Sequence, residues 1–280
     1  MKIELGRTCA LTVCRRAEQG LYLATGGPED ILLPNRYVPE GTDVGDTVNV
    51  FIYLDQEERL VATTETPLAQ VGDFAWLRVA WVNQFGAFLD WGLMKDLFVP
   101  FREQKMKMQK DHSYLVHIHL DPETYRIMAS AKVERYLSQE RPPYRAGDAV
   151  ELLIWQKTDL GFKAIVDNQF QGQLYDDQVF RPLHSGDRVS AYVRQVRPDG
   201  KLDLSLQPIG QRAATDFAET LLQHLRTNGG RSPLGDHSPA EEIYALFGVS
   251  KKVFKKAVGD LYRRRLITIR EDGIEALEDK

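Results

Sequence analysis

Three segments of the chain repeat one pattern, and that repeat restricts the fold more than any other feature. They are "VGDTVNVFIYLDQEERLVATT" (44–64), "QKDHSYLVHIHLDPETYRIMAS" (109–130) and "SGDRVSAYVRQVRPDGKLDLS" (185–205). Each is a start signal, an alternating strand, a polar turn and a second alternating strand. In the middle copy Val116, Ile118 and Leu120 share one face and His117 and His119 the other, which reads as a barrel wall and its exterior. Each hairpin follows a longer β segment, at 9–27, 74–92 and 150–168, and a short strand lies between: "ILLPN", "DLFVP" and "GQLYD". About five short strands in roughly 65 residues is the size of an OB-type barrel. The joints are "ETPLAQVGD" (65–73), "SQERPPYRAGD" (138–148), whose Pro pair stops strand and helix alike, and "QPIGQ" (207–211). Barrels are therefore expected over 1–66, 67–137 and 144–209.

After the third barrel the period changes. "AATDFAETLLQHLRTNGG" (213–230) reads as an amphipathic helix ended by glycine. "SPAEEIYALFG" (238–248) has Ser238 as N-cap, Pro239 at the first helical position and Gly248 at the stop. "SKKVFKKAVGDLYRRRL" (250–266) starts on another Ser cap, and "ITIREDGIEAL" (267–277) is strand, Asp-Gly turn, strand. This order predicts a winged helix-turn-helix over 212–280. The expected fold class is mainly β and multidomain: three OB-type β-barrels followed by an α+β winged helix-turn-helix domain.

Composition narrows function. The formal charge of −4 gives no whole-chain nucleic-acid signature, so any such site is a local patch. The two cysteines, Cys9 and Cys14, lie five apart in one strand and form no CxxC set. That argues against zinc and a disulfide framework and fits a reducing cytoplasm. No apolar run suggests a signal peptide or a membrane anchor. No GxxxxGK[ST], GxSxG or HExxH occurs, and the acid pairs at 28–30, 176–177, 271–272 and 278–279 fall in turns or at a terminus. His117 and His119 lack a third ligand. No catalytic residue, metal site or cofactor is expected.

The segment "VNQFGAFLDWG" (82–92) places Phe85 and Phe88 three apart, hence on opposite faces of a straight strand. A bulge or turn at Gly86 would bring both rings to one face. Exposed rings suit the π-faces of bases, at about 1–3 kcal/mol per stacked base. Arg78, Arg102, Lys105, Lys107, Lys110, Arg126 and Lys132 surround the pair. Arg102, Lys105 and Arg126 are the preferred phosphate contacts, because they lie beside the third strand and in the last turn. The third barrel repeats the design less fully with Phe162, Lys163, Tyr175, Arg197 and Lys201. The first, with Arg15, Arg16 and Tyr22, gives the least reason to bind.

The third helix of the tail carries the sharpest charge signal. Lys251, Lys252, Lys255, Lys256, Arg263, Arg264 and Arg265 against Asp260 give +6, which leaves the remainder of a −4 chain at −10. Val253, Phe254, Ala257, Val258, Leu261 and Tyr262 recur at helical spacing and should bury. The four lysines then share the outward face, with Arg263 and Arg264 at its end, where a helix-turn-helix meets nucleic acid.

The middle unit resembles an S1 RNA-binding domain in Gly72-Asp73, "FGAF" (85–88), Asp121 and Arg126. A wider resemblance rests on "VFIYLDQEERLVATTETP", "DWGLMKDLFVPFREQ", "RQVRPDGKLDLSLQP" and "GVSKKVFKKAVGDLYRRRLI", which in this order look like the CvfB (YitL-type) family. The resemblance implies three S1-like barrels and a winged helix, RNA binding without catalysis, and RNA contacts at Phe85, Phe88 and Arg126. The expected partner is single-stranded RNA in a regulatory role. Duplex nucleic acid at the winged helix, the ribosome and the RNA-degradation machinery are further candidates. The competing readings are a DNA-binding transcription regulator, a scaffold on that machinery, and a nuclease with an unrecognised acidic site.

Overall fold

Five strands, β1 (Thr8–Ala17), β2 (Gly20–Ala24), β3 (Ile31–Pro34), β4 (Thr47–Leu54) and β5 (Leu60–Thr63), close into a barrel in the order β1-β2-β3-β5-β4. Every pair is antiparallel except β3 with β5. The same closure recurs in β6 (Phe74–Val82), β7 (Gly86–Asp90), β8 (Leu97–Pro100), β9 (Ser113–Leu120) and β10 (Ile127–Ser130). It recurs again in β11 (Ala149–Thr158), β12 (Gly161–Val166), β13 (Phe170–Tyr175), β14 (Arg188–Val196) and β15 (Leu202–Ser205). These assignments come from a computed structural model that describes residues 3–179, 182–208, 211–270 and 273–277. Asp272 of the expected wing turn, residues 209–210 of the third joint and the acid pair at 278–279 lie outside them. The chain forms two compact units, Met1–Ser138 and Gln139–Lys280.

The first strand of each barrel slips register at an equivalent place: between Val13 and Arg15, Val79 and Trp81, and Ile154 and Gln156. One extra residue there bends the strand, as closure of a small barrel requires. At Gly86, the expected place of a bulge or turn, the chain makes a turn closed by the Asn83 N–H on the Gly86 carbonyl at 2.9 Å, and the bulge lies one strand earlier. Gly86 has a different task, shared with Gly161. A Cβ on Gly86 would lie 2.3 Å from the Val99 oxygen and one on Gly161 2.1 Å from the Leu174 oxygen. These glycines let the second strand approach the third.

Within Met1–Ser138 the two barrels share apolar packing. Strand β4 buries Val50 and Ile52 in its own barrel, with Leu11, Val13, Leu21 and Leu23. Its other face places Phe51 and Tyr53 in the core of the second barrel, with Trp91, Leu93 and Leu97. Phe51 meets Trp91 edge-on, centroids 5.6 Å apart. Leu68 of the joint donates its N–H to the Trp91 carbonyl at 2.8 Å. His117, expected on an open exterior, is buried, because the 3-10 turn Val133–Tyr136 lays Tyr136 across it with centroids 4.0 Å apart.

In Gln139–Lys280 the third barrel has its own core, including Leu152, Ile154, Ala164, Val166, Val193 and Leu204. Helices α1 (Gln211–Thr227), α2 (Ala240–Phe247) and α3 (Lys251–Arg263) pack against a sheet of β16 (Arg231–Ser232), β17 (Ile267–Arg270) and β18 (Gly273–Ala276), ordered β16-β18-β17. Leu221, Leu225, Ile243, Phe254, Leu261 and Ile267 fill that core. Ser250 caps α3 by accepting the Val253 N–H at 3.4 Å. Ser238 does not cap α2: Pro239 holds the cap position, and the Ser238 hydroxyl accepts the Gly235 N–H at 2.9 Å. Gly248 stops α2 in the left-handed region, as expected. Gln207, leaving the third barrel, donates to the Gly248 carbonyl at 2.9 Å and accepts the Ser250 N–H at 3.3 Å. No described helix is long and apolar enough to cross a membrane.

Gly86→Ala forces β7 from β8 and is expected to cost about 1–3 kcal/mol, as overpacking does. The check is the denaturant midpoint of the variant. An unchanged midpoint would mean that the strands need no close approach.

Candidate nucleic-acid interface

The bulge at Ala80 decides where the aromatic side chains of the second barrel go. After it, Trp81 pairs with Phe88 across the β6–β7 hairpin. Their rings stack face to face, 3.7 Å between centroids and 3° from parallel. Phe98, paired with Phe88 from β8, tilts against it at 4.9 Å. The Trp81 indole N–H donates to the Asp96 carboxylate at 2.7 Å, which fixes the ring's orientation. Phe85 is not in a strand. It sits in the hairpin turn, where the Asn83 side-chain oxygen accepts the Phe85 N–H at 2.8 Å and the Gly86 N–H at 3.2 Å. Phe85 is 63% exposed.

Trp81, Phe85, Phe88 and Phe98 line one open cavity of about 790 Å³. Arg102 and Arg126 line it too. The Arg102 guanidinium stands 3.5 Å from the buried Asp121 carboxylate. Thr124's hydroxyl, then the Glu123 N–H and Arg102, hold that carboxyl below its ordinary value. Arg126 pairs with Glu58, which comes from the first barrel and lines the same cavity. Tyr53, Leu54 and Gln56 of the first barrel complete that wall.

The structure therefore brings Phe85, Phe88, Arg102 and Arg126 to one cavity. Lys105, expected beside them, pairs with Glu134 and does not line this cavity. Its place in the sequence beside the third strand put it near, but the chain turns away through the 3-10 turn Phe101–Glu103. Trp81 and Phe98 carry no such signal in the sequence: Trp81 follows a bulge that no Gly or Pro marks, and Phe98 in "LFVP" reads as plain strand.

The position held by Trp81 and Phe88 exists in every barrel. In the first it is Arg15 paired with Tyr22, the guanidinium 3.4 Å from the ring centroid. In the third it is Gln156 paired with Lys163. The third barrel thus lacks the aromatic pair. Phe162 is a correction: it points the other way, is 7% exposed and belongs to the barrel core. Lys163 lies over Trp155 at 5.5 Å. Arg197 donates to Asp203 at 2.7 Å and to the Tyr175 hydroxyl, and Lys201 pairs with Asp199 at 3.2 Å. These cations are met by acids of their own barrel.

On α3, Phe254, Ala257, Val258 and Leu261 are buried, whereas Lys252, Lys255, Lys256, Arg263 and the C-cap Arg264 are exposed and Lys251 is half-buried. Tyr262 corrects the expected stripe: it is 54% exposed, on the basic side. Lys252, Lys256, Gly259 and Arg263 follow one another at helical spacing. A Cβ on Gly259 would meet nothing within 4 Å, so an approaching backbone finds open space there. Asp260 partly offsets the helix end, 3.7 Å from Arg263 and 3.4 Å from Arg264.

Residues 219–275 match the CvfB-like winged helix domain, and residues 5–65 match the S1 domain. The S1 match falls on the first barrel, whereas the motif resemblance lay in the second. The chain is 29% identical to the protein YitL of Bacillus subtilis (strain 168), over 92% of this chain and 89% of that protein. It is 24% identical to Conserved virulence factor B of Staphylococcus aureus (strain USA300), over 85% and 81% respectively. A crystal structure of a multidomain protein with nucleic acid binding domains from Streptococcus pneumoniae is 25% identical over 98% of each chain, with a TM-score of 0.41. Three barrels of S1 and OB type and a winged helix make this a protein of nucleic-acid-binding domains. The likeness to the CvfB (YitL-type) family, drawn from four motifs, is shown in the winged helix itself and in relatives similar along most of the chain.

His117 gives a pH prediction. Burial, then the neighbouring His119, pushes its pKa down to about 4. An unfolded histidine titrates near about 6.5, so between the two values only the unfolded chain takes up the proton. The stability held by the neutral ring is complete above the higher value and is lost as pH falls toward the lower. His117→Phe should lose less stability than the parent between neutral pH and the acid end of that window, measured by denaturant midpoints. Equal losses would mean that His117 is protonated in the fold.

Proposed function

We propose that the chain is a non-enzymatic regulator that binds single-stranded RNA in the second barrel, with the winged helix as a second nucleic-acid surface. The observation that carries this is the aromatic wall of Trp81, Phe88 and Phe98, with Phe85 exposed beside it, in one cavity with Arg102 and Arg126. Stacked rings in an open cavity suit bases whose faces are unpaired, and guanidinium groups suit phosphates. Duplex RNA hides those faces, so a single strand is the better fit. The matched families are nucleic-acid-binding and regulatory rather than enzymatic. A second reading, duplex DNA or RNA on α3, is favoured by the exposed Lys252, Lys256 and Arg263 with open backbone at Gly259 between them.

Two variants separate the surfaces. Phe85→Ala removes an exposed ring and no charge. It is expected to weaken binding of a single-stranded oligoribonucleotide by about 1–3 kcal/mol per engaged base, with the salt dependence unchanged. Fluorescence anisotropy at two salt concentrations is the measurement, and an unchanged affinity would remove the ring from the site. Lys252→Glu with Lys256→Glu should lower affinity for every sequence alike and flatten the salt dependence by about 1 per lost phosphate contact. Loss confined to duplex DNA would assign α3 to the second reading.

A further inference from the structure

The first barrel supplies one wall of the cavity, and its contribution is a carboxylate placed on the arginine that a phosphate would take. The β4–β5 hairpin tip reads "DQEER" (55–59). Asp55 organises it: one carboxylate oxygen accepts the N–H groups of Glu57 at 2.8 Å and Arg59 at 3.0 Å, and the other accepts the Arg59 side chain at 2.9 and 2.8 Å. Glu57 also pairs with Arg59, at 2.9 Å. Two of the tip's three acids are therefore engaged within the tip. Glu58, with φ +64°, sits in the left-handed region at the turn and reaches Arg126 of the second barrel.

This reach is held by the fold. The Lys95 ammonium of the second barrel donates to the carbonyls of Leu54 at 3.0 Å and Asp55 at 2.8 Å, at the root of the hairpin. Phe51 and Tyr53, on the strand leading into it, lie in the core of the second barrel. The tip is thus fixed over the cavity. Glu58 and Arg126 are each about half exposed, 52% and 54%, so water and ions reach the pair.

We propose that Glu58 is an internal stand-in for phosphate: it holds Arg126 in the free protein and yields it to the RNA backbone. The first barrel would thereby set the threshold at which the second accepts a strand. The inference rests on the single-strand reading above. A carboxylate and a phosphate both present oxygens to the guanidinium fork, so one replaces the other without moving the arginine. An exposed ion pair is weak and screened by salt, so a polyanion anchored by stacking displaces it, whereas an isolated anion gains little.

The test uses the full chain and a labelled single-stranded oligoribonucleotide at two salt concentrations. Glu58→Gln is expected to bind about two- to fivefold tighter, the range an exposed pair allows. It should also steepen the salt slope by about 0.7, since no internal carboxylate then takes up a counterion when phosphate arrives. Glu57→Gln, which changes charge equally at the same tip, should leave affinity unchanged. On the Arg126→Gln background the Glu58→Gln gain should vanish. A gain of equal size from Glu57→Gln, or one that persists without Arg126, would reduce the effect to general charge and overturn the proposal. Equal binding by parent and Glu58→Gln removes the stand-in while leaving the RNA reading intact. Absence of binding in the parent and every variant removes the RNA reading and the stand-in with it.

Discussion

The burial of Phe51 and Tyr53 against Trp91 and Leu93 is the contact on which the arrangement of the first two barrels depends. An S1-type barrel ordinarily needs only one apolar face per strand. Strand β4 has two, and both are covered. Fully burying a large apolar side chain contributes about 1.5–3 kcal/mol, and edge-on ring pairs add about 0.5–1.5 kcal/mol more. Contacts of this size make Met1–Ser138 one compact unit. They also fix the acidic β4–β5 tip beside the aromatic cavity, so the electrostatics of the second barrel are partly set by the first.

Three barrels with one topology present three different surfaces. The strand bulge delivers one cross-strand pair to the same place each time: Arg15 with Tyr22, Trp81 with Phe88, Gln156 with Lys163. The backbone is common, and two side chains per barrel decide what it can hold. In the second barrel the pair is a preformed stack whose orientation is secured by Asp96. In the first, the guanidinium on Tyr22 covers the ring that would otherwise be open. In the third, the aromatic residue next to the position turns into the core.

The cations follow a similar logic. Most of the basic residues that sequence singled out in the barrels stand beside a carboxylate: Arg78 by Asp111, Arg102 by Asp121, Lys105 by Glu134, Arg197 by Asp203. Such pairs hold long side chains in defined places and give up little when a polyanion competes. On α3 Lys255 stands 3.9 Å from Asp236, whereas Lys252 and Lys256 are exposed on the strongly basic segment of an otherwise acidic chain.

Sequence alone determined the barrels, their number and the winged helix, because strand alternation, Gly-Asp starts, Pro-containing joints and helix stops are local properties that act within a few residues. It also pointed to Phe85 and Phe88 as one group, and both line the same cavity. Tertiary structure alone decided how they meet, through a bulge at Ala80 that no Gly or Pro announced and a turn held by Asn83. It decided that Trp81 and Phe98 join them, that Phe162 does not, and that His117 is covered by Tyr136. The continuous apolar run "VFIYL" in β4 was legible as a strand, but not as one buried on both faces, since that depends on a neighbour whose contacts lie some forty residues on. Which acid meets which arginine is decided in the same way. Glu57 and Glu58 are identical and adjacent, and only the left-handed turn and the docking of the two barrels send one to Arg59 and the other to Arg126.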